Sequence, residues 1–243
     1  MVRTAFRRSR AYAHLVLRIT DARTGEPVDV RRALTRVHVH APSDDTSGLR
    51  VLLVADVLAR ALDMGGIPAL LVADPPATLR RRADDLGIRP AEAAGAGGGR
   101  QVLRVAGTGE TTGEGVGVEV APVTGPRAPA ASGTALRLAL LRRPRRTPVA
   151  LDAPALAEAD EALGAWRKAV AGWATRPSKP VPEDVRQALR TAWEDDLDVP
   201  AVLAVLRAVE RADDVPDGAR FETFAYADRL LGLELTREIG APA

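Results

Sequence analysis

The segment from Thr35 to Val72 leaves the chain little freedom in how it folds. Val37 and Val39 alternate with His38 and His40, the period of two that marks a strand. Ala41-Pro42 stops that strand, and Ser43 to Gly48 is a polar turn rich in helix-capping residues. Leu49 to Met64 then reads as a helix closed by Gly65-Gly66, and the apolar run Ile67 to Val72 as the next strand. Strand, helix, strand is a βαβ unit. Its first strand–helix loop, Ser43 to Gly48, sits where such units bind nucleotides.

The rest of the chain builds outward from this unit. Met1 to Arg10 is a basic arm, His14 to Thr20 reads as a strand, and Asp21 to Pro27 as a turn. Downstream, Thr78 to Leu86 predicts a short helix and Ala91 to Arg100 a Gly/Ala-rich linker. Gln101–Val105 and Val116–Val123 predict two strands. Gly107 to Gly113 between them lacks the Gly-Lys-Ser/Thr ending and following helix of a phosphate loop, so a hairpin turn is expected. Helices are predicted at Thr134–Arg142, Ala153–Trp173, Glu183–Trp193, Ala201–Ala212 and Phe221–Leu233. The expected fold class is α/β: a basic arm (1–14), a reduced Rossmann-like nucleotide-binding unit (15–123), a loop (124–133) and an α-helical domain (134–243).

The absence of cysteine excludes disulfides and thiolate metal sites. No apolar run is long enough to span a bilayer, and no signal-peptide core follows the basic N-terminus, so a cytoplasmic protein with no membrane partner is expected. The formal net charge of +2 does not mark a nucleic-acid binder. Arginine is nonetheless clustered, at Arg3–Arg10, Arg80–Arg82 and Arg142–Arg146.

Several stretches in collinear order resemble one family. Arg50-Val-Leu-Leu-Val-Ala-Asp56 to Leu62 is similar to the helix after the HIGH motif in cysteinyl-tRNA synthetases and the related mycothiol-pathway cysteine ligase. Leu15 to Pro27 resembles the opening strand and turn of these class I synthetases. Asp74 and Leu86-Gly87-Ile88 resemble the Asp-containing segment and helix end that follow. Thr134–Arg142, Trp193–Leu206 and Ala227–Leu233 resemble the helical region beyond the catalytic domain. The family's middle segment, with its metal-binding residues, has no counterpart. As in the ligase, no anticodon-recognition domain is expected beyond the helical region.

The resemblance also locates the chemistry. It places the HIGH box on Asp45-Thr46-Ser47-Gly48, where the family's histidines stabilise charge on the phosphates of ATP. Asp45 would repel a triphosphate. Ser43, Thr46, Ser47 and Gly48 offer hydroxyls and N–H groups at a helix N-terminus, a general anion site, unless they only cap the helix. Arg127 is the single charge in the loop that replaces the family's lysine motif. His40 stands where the first zinc cysteine stands in the family. His38 is expected on the opposite face of the strand, and no zinc or other metal site is expected. Glu194, Asp195, Asp196 and Asp198 could form a metal or acid/base cluster, but the resemblance implies a structural turn whose Asp residues cap the helix that Pro200 helps to start. Arg142, Arg143, Arg145 and Arg146 form a candidate RNA-binding patch, in the region that faces tRNA in the family.

The resemblance therefore implies a synthetase-like protein that does not aminoacylate tRNA. It would keep a site for ATP, another adenine nucleotide or an aminoacyl-adenylate, or for a protein partner. The alternatives are an ATP-dependent aminoacyl ligase of altered active site, and an RNA-binding module that contacts tRNA.

Overall fold

The computed structural model describes residues 16–93, 101–110, 113–125 and 133–240. The basic arm and Arg127 lie outside these residues. A hairpin of β1 (Arg18–Thr20) and β2 (Pro27–Asp29) leads to β3 (Thr35–His40). Helix α1 (Thr46–Met64), β4 (Ala69–Ala73), α2 (Ala77–Asp85), β5 (Gln101–Gly107) and β6 (Val116–Val120) follow. Short strands β7 (Val123–Thr124) and β8 (Val149–Ala150) flank α3 (Gly133–Leu141). The chain ends in α4 (Ala153–Trp173), α5 (Glu183–Glu194), α6 (Val199–Arg211) and α7 (Asp217–Leu231).

The central sheet has four strands in the order β4-β3-β5-β6, and each neighbouring pair is parallel. The βαβ unit is present as expected, and the whole is a Rossmann-like sheet and helix core followed by a helical region. Helix α1 begins at Thr46, three residues before the expected start, because Asp45 caps it. It ends at Met64, with Gly66 in the left-handed region at φ 74°. Helix α7 instead starts four residues early, after Pro216, and stops at a left-handed Gly232. Among the described residues, no helix is long and apolar enough to cross a membrane.

Two strand expectations need correction. First, β5 and β6 do not form a hairpin; they pair in parallel, with Leu103 opposite Val116. Residues 113–115 lie beside β5. Arg104 Nε donates to the Glu114 carbonyl at 2.6 Å, and a Cβ on Gly115 would lie 2.6 Å from the Val102 carbonyl oxygen. Gly109, Gly113 and Gly115 all have positive φ, which makes the return possible in so few residues. Second, the run Val116–Val123 breaks into β6 and β7 at Ala121-Pro122, because proline has no N–H to give a ladder.

Helix α1 is buried almost all round, as an internal helix must be. One side packs on all four strands of the sheet, and α2 and α7 pack elsewhere on it. A single apolar cluster runs from the sheet through α1 into the helical region. Trp166 and Trp173 meet Phe224 edge-on at 5.7 and 5.1 Å, closing α4 against α7.

Buried arginines join the helical region to the core. Arg137 on α3 and Asp56 on α1 are fully buried and 2.7 Å apart. Asp56 also accepts from Arg60 Nε at 2.8 Å and Arg89 Nε at 3.2 Å. Arg137 donates onward to the carbonyls of Leu231 at 2.6 Å and Leu86 at 3.1 Å. Arg167 on α4 holds the Leu233 and Glu234 carbonyls at 2.8 and 3.0 Å. Burial alone would raise the Asp56 pKa; the charges of Arg137 and Arg60 override it and hold the carboxyl below its ordinary range.

Asp56→Ala is expected to cost about 3–5 kcal/mol in urea unfolding, since it strands Arg137 in the interior. The stability that Asp56 contributes through ionisation is complete above about pH 3.9 and is lost as pH falls through its lowered folded value. Asp56→Asn should therefore flatten the acid limb of a stability–pH curve.

Candidate functional site

Chain order locates the site. From β3 the chain goes through α1 to β4 on one side, then through α2 to β5 on the other. The carboxyl ends of β3 and β5 are thus the topological switch point, the place where open parallel sheets bind ligands. A cleft of about 220 Å³ opens there. His40 and Ser43 line it from the end of β3, Asp45, Ser47 and Gly48 from the start of α1, and Gly107, Thr108 and Glu110 from the end of β5.

Ser43, Asp45, Ser47 and Gly48 line this cleft together, but most of their donors are already used. Asp45 caps α1, accepting from Gly48 N at 2.8 Å. Ser47 Oγ is held by the Val123 backbone, accepting from its N–H at 3.0 Å. Thr46 Oγ1 accepts from Arg82 Nη2 at 3.2 Å and does not line the cleft. A Cβ on Gly48 would collide with the Ser43 carbonyl oxygen, so this glycine makes room for the loop itself. An N-terminus that would attract phosphate is occupied by the protein's own carboxylate.

Glu110 is a wall of the cleft that sequence reasoning missed. It sits in the stretch read as a hairpin turn, where its N–H donates to the Gly107 carbonyl at 3.0 Å and closes a tight turn at the end of β5. Its carboxylate lies over Gly107, where an added Cβ would come within 2.6 Å of Oε2. Two carboxylates, a histidine and hydroxyls therefore face the space. Such a lining accepts hydrogen bonds from ammonium, amine or hydroxyl groups and repels a triphosphate.

His38 and His40 do not lie on opposite faces. A strand repeats its direction every two residues, and both line a smaller hollow of about 130 Å³ with Arg104 and Glu110. Burial lowers the His38 pKa, and the charges of Arg104 and Arg36 lower it further. Among the described residues no group of three or more His, Cys, Asp or Glu is placed to hold a metal.

The arginine cluster splits. Arg145 is buried, donating to the Glu119 carbonyl at 2.8 Å and the Thr20 carbonyl at 3.3 Å while pairing with Asp196. It ties the β1–β2 hairpin to the helical region and does not join an exposed patch. Arg143 and Arg146 are exposed, and Arg142 is half-buried against Glu158 at 2.8 Å. In the acidic turn, Asp198 caps α6, accepting from Ala201 N at 3.0 Å, and Asp196 accepts from Thr20 N at 2.8 Å. Both roles are structural.

No protein-family model matches the chain, and a search of curated proteins finds none that matches it.

Gly48→Ala should lower stability by about 1–3 kcal/mol in chemical unfolding, because the loop must move to admit the methyl group. In an NMR titration His38 should titrate below about 6.5, and Arg104→Gln should move its midpoint upward. A histidine depressed in the folded state loses stability as pH falls from the ordinary value to the folded one, and His38→Gln should remove that loss.

Proposed function

We propose that this chain is a cysteinyl-tRNA synthetase-like protein that does not activate an amino acid with ATP. It binds a nucleoside or aminoacyl-nucleoside, without a triphosphate, in the cleft between the ends of β3 and β5. The observation that carries this reading is the Asp45 cap on α1, which fills the anion-binding end of the helix that begins beside the cleft. ATP chemistry needs donors aimed at the growing charge on the phosphates, and loss of one such donor costs a factor of about 10²–10³ in rate. Here Asp45 and Glu110 line that space instead. At about 220 Å³ the cleft suits the polar end of a small molecule, with the rest of the ligand extending outward. Ribose hydroxyls, an exocyclic amine or an α-ammonium group would supply the hydrogens that the carboxylates, Ser43 and Thr108 accept.

The test is thermal unfolding with adenosine, ATP and a non-hydrolysable cysteinyl-adenylate analogue. A ligand bound only by the folded state must raise the midpoint. Adenosine and the analogue are expected to raise it at millimolar concentration, and ATP is not. Asp45→Gly with Glu110→Gln frees the helix N-terminus and removes both carboxylates, so ATP should then raise the midpoint. No shift with any of the three, for either protein, would sink the proposal.

A further inference from the structure

We propose that the chain carries a second binding site, for a phosphate monoester on a small apolar body, in the cleft between α3, β8, α4 and α6. The cleft has a volume of about 420 Å³, within the range of small-molecule sites. It does not share a lining residue with the cleft at the sheet end. Its floor is apolar, with Val149, Leu151 and Leu203 buried beneath it. Its rim carries Arg142, Arg143 and Arg207 against the single carboxylate of Glu158.

That carboxylate is committed. Arg142 Nη1 lies 2.8 Å from Glu158 Oε1, and Arg142 Nε is buried without a hydrogen-bond partner. Arg143 and Arg207 line the cleft, and their side chains make no hydrogen bond or ion pair with the described residues. A surplus of guanidinium over an apolar floor favours an anion with an apolar body, and two uncommitted arginines favour a dianion.

The rim is also held in place and charged from below. Arg50, buried in α1, donates to the carbonyls of Arg143, Pro144 and Thr147 at 3.4, 2.9 and 2.8 Å. Among the described residues its guanidinium bonds to carbonyls and pairs with no carboxylate, so its positive charge lies under the turn that carries Arg143 without a counter-charge. The backbone of that turn is thus fixed before a ligand arrives, and the side chains are what a ligand must order.

The probe is phenyl phosphate, titrated calorimetrically into the full chain, with inorganic phosphate and a single-stranded RNA oligomer as comparisons. Phenyl phosphate is expected to bind, more weakly as salt is raised. Arg143→Ala and Arg207→Ala, both at exposed positions, should each weaken it by about tenfold or more. Arg146→Ala, an exposed neighbour outside the cleft, should leave it unchanged. Absence of phenyl phosphate binding at millimolar concentration would overturn the site. So would equal affinity in all variants, or binding of the RNA alone. Inorganic phosphate binding as tightly as phenyl phosphate would overturn the role of the apolar floor.

Discussion

The buried pair of Arg137 and Asp56 is the contact on which the arrangement of this molecule depends. It joins α3 to α1 at 2.7 Å with both side chains fully buried. Removing two charges from water is expensive, and the attraction offsets it only when the remaining hydrogen-bonding capacity is filled. Here it is filled from several directions. Asp56 takes Arg60 and Arg89, and Arg137 takes the carbonyls that end α2 and α7. An apolar contact tolerates sliding. This network is satisfied in one docking of the helices on α1, so it sets where the helical region sits.

Arg50 does for the turns what Arg137 does for the helices. Its guanidinium lies among the carbonyls of Ala121, Arg143, Pro144 and Thr147, and burial pulls its pKa down to about 10, still above neutrality. Three of those acceptors, Ala121, Arg143 and Thr147, precede prolines. A residue before proline is pushed toward extended backbone, and the proline brings no N–H of its own that would need a partner. The carbonyls are thereby turned inward at little cost. One arginine on the central helix thus holds both the end of β6 and the turn beyond α3, next to the two clefts.

Polarity at the end of the sheet follows from a single choice of cap. A helix N-terminus at a switch point attracts anions unless something already answers it. Asp45 answers it from within the chain, and Glu110 adds a second carboxylate across the cleft. The same scaffold that serves phosphates elsewhere then favours hydrogen-bond donors. The positive surplus lies in the other cleft, where arginines outnumber carboxylates.

What the sequence determined by itself was the local structure and the layout. The alternation in β3, the apolar run of α1, the glycines after it and the proline-started helices are short-range signals, and each formed its element within a few residues of its expected bounds. Asp45 and Ser43–Gly48 were legible as a loop at a helix start for the same reason. Tertiary structure alone decided the rest. The parallel pairing of β5 with β6 depends on where residues 113–115 lie against β5, which no local pattern encodes. Glu110 faces the site because the turn that carries it ends β5 beside β3, a neighbour that no local pattern names. Arg145 read as one of four equivalent arginines, yet burial among the carbonyls of distant strands separates it from Arg143 and Arg146. Charge is visible in a sequence, whereas whether water or a carbonyl surrounds it is fixed only when distant segments meet.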